Sequence, residues 1–179
     1  KLRETEAADG RELALALREG VDTAYKAVMK PAEGTILTVP RVAAQHAVEL
    51  CQADSSLSAE QVLAAIIERG HEALAETVHQ NPVLEKAGVV DAGGFGFVTI
   101  FEGMLDALRG IHKERKAADA PATRSAADFD AIRDEDITFT YCTEFIAERK
   151  DKARNVGRLR SILSEIGDSL VVVEDDDIV

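Results

Sequence analysis

The feature that most constrains this chain is a glycine-rich turn, Gly88-Val89-Val90-Asp91-Ala92-Gly93-Gly94-Phe95-Gly96-Phe97, that runs straight into an apolar helical pattern. Phe97, Ile100, Phe101, Met104, Leu105 and Leu108 recur at three-and-four spacing, which predicts a helix burying one face made of those six residues. Asp91 suits the N-cap, since its carboxylate can accept from the free amide of Gly93 or Gly94. The same amides, with the positive end of the helix dipole, suit a phosphate. Glycines without a Cβ also let a second backbone come close, so the plainer reading of the bare pattern is helix-to-helix packing. It is not the dinucleotide fingerprint, because no clear apolar strand precedes it.

Such a helix needs others to pack on, and the chain supplies them. Residues 11–29 form an amphipathic pattern with Leu13, Leu17, Val21, Ala24, Tyr25 and Val28 on one face, ended by Lys30-Pro31. After the tight turn Pro31-Ala32-Glu33-Gly34-Thr35, Thr35 is placed to cap a second helix through Ile36, Leu37, Val39, Val42, Ala43, His46 and Leu50, with Pro40 near its first turn. His46 reads as a hydrogen-bonded core histidine, since no second histidine stands four residues away to share a metal. Cys51 reads as a small buried apolar residue. Ser58-Ala59-Glu60-Gln61 has capping-box spacing and opens a third helix through Val62, Leu63, Ile66, Ile67, Leu74 and Val78, with Gly70 as a candidate kink. Asn81-Pro82 breaks it, Pro82 to Lys86 makes one short helical turn stopped by Gly88, and the apolar helix ends at Gly110.

Composition agrees with a mainly α fold: alanine and leucine dominate, aromatics make up only 4% and tryptophan is absent. A formal net charge of −12 argues against nucleic acid or an anionic membrane as partner, because both are polyanions that require a basic face. No apolar run is long enough to span a membrane and no signal peptide is seen. Cys51 and Cys142 fit no disulfide or metal spacing, so a reducing cytoplasm is the expected location.

The polar start, Lys1 to Gly10, lacks an initiator methionine, so the chain is expected to begin inside something larger. At the other end of the helical stretch, the basic segment His112 to Lys116 complements a helix C-terminus. Residues 117–131, rich in Ala, Asp, Ser, Thr and Pro, then mark a linker. Beyond it Ile137, Phe139 and Tyr141 alternate like a strand; Val156, Leu159, Ile162, Leu163 and Ile166 make a helix stopped by Gly167; Ser169 to Val173 reads as a buried strand; and Glu174 to Asp177 is an acidic, solvated turn. The expected organisation is a helical domain over residues 1–116, a linker over 117–134, and the β-α-β beginning of an α/β domain over 135–179.

Several segments together resemble one family. Val28-Met29-Lys30-Pro31-Ala32-Glu33-Gly34-Thr35-Ile36-Leu37-Thr38-Val39, then Gly88 to Gly94 with Glu102-Gly103-Met104, then Tyr141-Cys142-Thr143-Glu144-Phe145, and Gly167 to Val173 with Asp175-Asp176-Asp177, occur in this order in the bacterial fatty acid kinase A subunit. That protein carries a nucleotide domain like the L subunit of dihydroxyacetone kinase, followed by a middle domain. The resemblance implies part of a helical barrel with ATP held at one end by inter-helix loops, two of which match here. It assigns Gly34, Thr35, Asp91, Gly93 and Gly94 to the nucleotide site, with Thr35 donating a hydroxyl and the glycine turn giving amides. Lys30 either adds charge near a phosphate or is a plain surface lysine.

The resemblance further implies an ATP-dependent kinase that phosphorylates a fatty-acid carboxylate presented by a separate fatty-acid-binding protein, giving an acyl phosphate. A homodimer is expected of the full-length protein. The family's Mg²⁺-binding aspartates and glycine-serine phosphate loop lie upstream of the matching segment, so this chain alone is expected to be inactive. Cys142 matches a cysteine that, in the complete middle domain, joins two histidines of a later strand to hold Zn²⁺; those histidines would follow the Asp175 to Val179 turn, so in this chain Cys142 is expected to be an unpaired thiol. Phe95 stands where a glutamine is common in the family and Pro40 where an aliphatic residue is usual. The alternatives are a dihydroxyacetone kinase L-type subunit, against which the middle-domain motif speaks, and a non-catalytic helical module in which the glycines serve packing.

Overall fold

Helix start and stop signals set the frame. In a computed structural model that describes residues 7–111, 139, 141–148, 150, 155–168 and 170–174, the chain divides into two units. One holds residues 7–22 and 32–111, and the other residues 23–31 with the described residues from 139 onward. The fold is mainly α.

In the first unit, α1 (Gly10–Ala27, ending in the second unit) starts at a reciprocal cap: the Glu12 amide donates to Asp9 Oδ1 at 2.7 Å and the Asp9 amide to Glu12 Oε2 at 3.1 Å. Gly10 is needed there, because a Cβ would stand 2.4 Å from the Leu57 carbonyl oxygen and 2.7 Å from Val62 Cγ2. α2 (Thr38–Ala53) starts later than expected and carries Pro40 in its first turn. α3 (Ala59–Gln80) opens with the expected capping box, Ser58 and Gln61 each bonding the other's amide. Asn81 closes α3 and caps α4 (Pro82–Ala87), which Gly88 stops in the left-handed conformation at φ 65°. α5 (Ala92–Leu108) follows, and Gly110 turns the chain at φ 70°.

Small residues let these helices approach. Ala14, Ala43, Ala47, Val48, Cys51, Val62 and Ile66 form one buried cluster, and Val39, Ala73, Leu74 and Val98 a second. Each fully buried valine, leucine or isoleucine contributes about 1.5–3 kcal/mol. α3 packs on both α2 and α5 and runs antiparallel to both: Val39 near the start of α2 shares a cluster with Leu74 near the end of α3, Cys51 near the end of α2 shares one with Val62 near the start of α3, and Arg109 at the end of α5 pairs with Glu60 at 2.8 Å while His71 and Glu102 meet at 2.9 Å. Burial pushes the Cys51 thiol above its ordinary pKa.

Three expectations need correction here. α3 runs unbroken through Gly70, whose missing Cβ makes room for Val98 Cγ2, 3.2 Å from where that Cβ would be. The face of α5 is shifted: Ile100, Met104 and Leu108 are 65, 44 and 60% exposed, whereas Gly94, Val98 and Leu105 are buried. Gly94 lies at this contact: a Cβ on it would stand 2.7 Å from Val39 Cγ2, so the line of α5 through it presses closely against α2. His46 is half-buried on the wall of a cleft rather than in the core.

The second unit holds α6 (Gly157–Ile166) close to its expected span, with Asn155 Oδ1 accepting from the Gly157 amide at 2.6 Å. The strands flanking it in the β-α-β expectation do not form among the described residues. Phe139 and Tyr141 lie in irregular, exposed backbone. In the segment read as a buried strand, only Val172 is buried, while Val171 and Val173 are exposed. Val171 makes a single antiparallel bridge to Val28, with the Met29 amide donating to Leu170 O and the Val172 amide to Ala27 O, both at 3.2 Å. That pairing is why α1 ends at Ala27 instead of reaching Met29. The linker over 117–134, the basic stretch 112–116, Ile137 and the aspartates at 175–177 lie outside the described residues.

Candidate functional site

The antiparallel order brings two helix N-termini and one C-terminus to the same end of the first unit: the approach to α2 at residues 32–38, the end of α3 at 77–81, and the start of α5 at 91–94. Gly34, Thr35, Asp91, Gly93 and Gly94 all fall in this cluster, whereas Lys30 is exposed and belongs to the second unit. Gly34 is buried at φ 74°, and a Cβ on it would stand 2.9 Å from the Asn81 amide nitrogen, so this loop lies directly on the end of α3. The approach to α2 also touches the α5 turn, since a Cβ on Gly93 would stand 2.9 Å from Ile36 Cβ.

Asp91 is the N-cap of α5. Its Oδ2 accepts from the Gly94 amide at 2.6 Å and its carbonyl from the Phe95 amide at 2.9 Å. The amides of Ala92 and Gly93 have no acceptor among the described residues, as expected for the first turn of a helix. Such free amides, with the positive end of a helix dipole, are of the kind that suits an anion. The start of α2 is different, because its amides are satisfied within the chain. Thr35 O accepts from the Thr38 and Val39 amides, and Thr35 Oγ1 donates to Ala32 O at 2.8 Å and accepts from the Leu37 amide at 3.3 Å. Leu37 is the N-cap of α2, and no side chain caps it.

Two polar residues that the sequence reading passed over lie beneath these loops. Thr38, 1% exposed, accepts from the Gly34 amide at 2.9 Å and donates to Glu33 Oε2 at 2.7 Å; Arg41 holds the same carboxylate oxygen at 2.7 Å. Thr77, fully buried, accepts from the Asp91 amide at 3.1 Å and donates to Leu74 O at 2.6 Å. The signal for Thr77 was present in the sequence: it falls in register with the apolar stripe of α3 at Ile66, Gly70, Ala73 and Leu74, where a hydroxyl must find buried partners.

A model of the DAK2 domain matches residues 1–106, and one of the middle domain of fatty acid kinase A-like proteins matches residues 138–179. The chain belongs to the DAK2-domain family. An uncharacterized protein of Staphylococcus aureus (strain bovine RF122 / ET3-1) is 41% identical over 93% of this chain and 31% of its own length. Another, from Staphylococcus aureus (strain USA300), is 40% identical over the same shares. The chain thus spans about a third of the length of the curated relatives it matches. The DAK2 match covers the described helices α1 to α5 almost entirely, and with them both loops of the site.

Metal chemistry has less to work with. Cys142 is exposed, and among the described residues no group of three His, Cys, Asp or Glu side chains is placed to hold a metal ion. A cleft of about 660 Å³ runs between α2 and α3, lined by Arg41, Val42, Gln45, His46 and Glu49 on one side and Glu68, Arg69 and Glu72 on the other. It includes none of the loop residues. Arg41 is paired with Glu33 and Arg69 with Glu72, so it reads as a solvated groove. No helix among the described residues is long and apolar enough to cross a membrane.

Proposed function

We propose that this chain is part of an ATP-dependent kinase that phosphorylates the carboxylate of a fatty acid, presented by a separate fatty-acid-binding protein, to give an acyl phosphate. The observation that supports it most is the junction of the two loops: Ile36 lies against Gly93, so the segment 32–38 and the turn 91–94 form one continuous surface with two unsatisfied amides on it. The amides of Ala92 and Gly93 bind phosphate oxygens of the nucleotide. Asp91 fixes the first turn of α5 so that those amides point outward. Gly34 keeps its loop low against α3, leaving room for the nucleotide beside Thr35.

Phosphoryl transfer also needs a divalent cation, Mg²⁺ in this reading, to neutralise charge on the phosphate oxygens. The described residues hold no cluster that fits it as ligands. Zn²⁺ at Cys142 likewise lacks partners among them. The order of a DAK2 domain and then a fatty acid kinase A-like middle domain favours a fatty acid over dihydroxyacetone as acceptor. A homodimeric full-length protein in the cytoplasm belongs to the same proposal, in keeping with the acidic chain.

The test is an assay of the full-length protein with ATP, Mg²⁺ and a fatty acid on its binding protein. Acyl phosphate should form and should vanish on chelation of the metal. Transfer to dihydroxyacetone instead would move the chain to the L-type subunits, and no ATP turnover with either acceptor would leave a non-catalytic helical module.

A further inference from the structure

Thr38 and Thr77 are the buried polar side chains among the described residues, and each spends its hydroxyl on the backbone of a different loop of the proposed site. A buried hydroxyl must be hydrogen-bonded, but its own needs would be met by a carbonyl of its own helix. Thr77 takes that local bond as donor to Leu74 O and still uses its lone pair on the Asp91 amide, fourteen residues away. Thr38 does the equivalent, donating to Glu33 and accepting from the Gly34 amide. The acceptor side of each hydroxyl therefore holds the one loop residue whose backbone orientation matters most: the glycine at positive φ in the first loop, the N-cap in the second.

We infer that Thr38 and Thr77 are positioning residues that set the two nucleotide loops before the nucleotide arrives. This rests on the reading of the site as a nucleotide site. Neither hydroxyl touches the ligand; each acts through an amide it holds. Removing a hydroxyl while keeping the side-chain shape leaves the buried Gly34 amide, or the part-buried Asp91 amide, without its partner, which the loop relieves by turning that amide toward water. A loop that must be turned back on binding reduces the apparent affinity by the fraction of time it is misplaced.

The experiment compares Thr38→Val, Thr38→Ser, Thr77→Val and Thr77→Ser in the full-length protein, with three readouts: amide hydrogen exchange at Gly34 and Asp91, ATP affinity by calorimetry, and KM for ATP against KM for the fatty acid. Thr38→Val should speed exchange at Gly34, Thr77→Val at Asp91. Each should weaken ATP about tenfold and raise KM for ATP alone. The serine variants, which keep the hydroxyl and lose a methyl, should restore all three. A role in stability alone would lower the melting temperature of serine and valine variants alike and leave ATP affinity of the folded protein unchanged; that result overturns the inference. Wild-type protein that binds no ATP removes the reading on which it rests.

Discussion

The helical unit and the α6 segment are built from similar material and settle very differently. Ile66 on α3 is 0% exposed, whereas Ile166 on α6 is 66% exposed, and among the described residues α6 buries none of its own side chains. α3 packs on α2 and α5 within the same unit, reached through short connections. Among the described residues, α6 is reached by segment 170–174 through Arg160, and that segment otherwise pairs with residues 27–29. The difference teaches that an apolar stripe predicts a helix wherever it occurs but predicts a core only where a second stripe lies within reach.

The contrast can be broken most directly by deletion of the two isoleucines. Ile66→Ala should destabilise the chain by about 2–5 kcal/mol in urea unfolding followed by circular dichroism. Ile166→Ala should stay within about 0.5 kcal/mol. Equal costs would mean that α6 is packed as tightly as α3.

A smaller effect sharpens the same comparison at the helix starts. Ser58→Ala removes a full capping box and should cost about 1 kcal/mol. Asn155→Ala removes the single bond at the start of α6 and should change global unfolding by less than about 0.5 kcal/mol. A larger loss for Asn155→Ala would show that α6 unfolds together with the helical unit.

How much of this was legible in the sequence follows from how local each determinant is. The capping box at Ser58, the stop at Gly88 and the cap at Asp91 all involve residues within three or four positions, and each stands where the sequence put it. The face of α5 was misread because that helix is apolar on nearly every side, so spacing could not choose among Phe97, Val98, Ile100, Phe101, Met104 and Leu105. Gly94 lies at the contact that is made, where its bare Cα admits Val39 from a helix more than fifty residues earlier. Residues 170–173 misled for the same reason: alternation with β-branched residues reads as a strand, but a strand exists only with a partner ladder, and here the partner is three residues at the end of α1. The loop residues proposed for the site were singled out through their glycines and the N-cap; Thr38 was passed over because a buried hydroxyl is recognised by what it touches, and Thr77 although its register in the apolar stripe of α3 carried a signal.

The central claim is that the start of α5, held by Asp91 and backed by the loop at Gly34, binds a nucleotide. Calorimetric titration of ATP into the full-length protein and its Asp91→Ala variant tests it most directly. The variant frees the Gly94 amide and loosens the first turn, so ATP should bind wild type and bind the variant about tenfold more weakly or worse. A folded variant that binds ATP as tightly as wild type would contradict the claim.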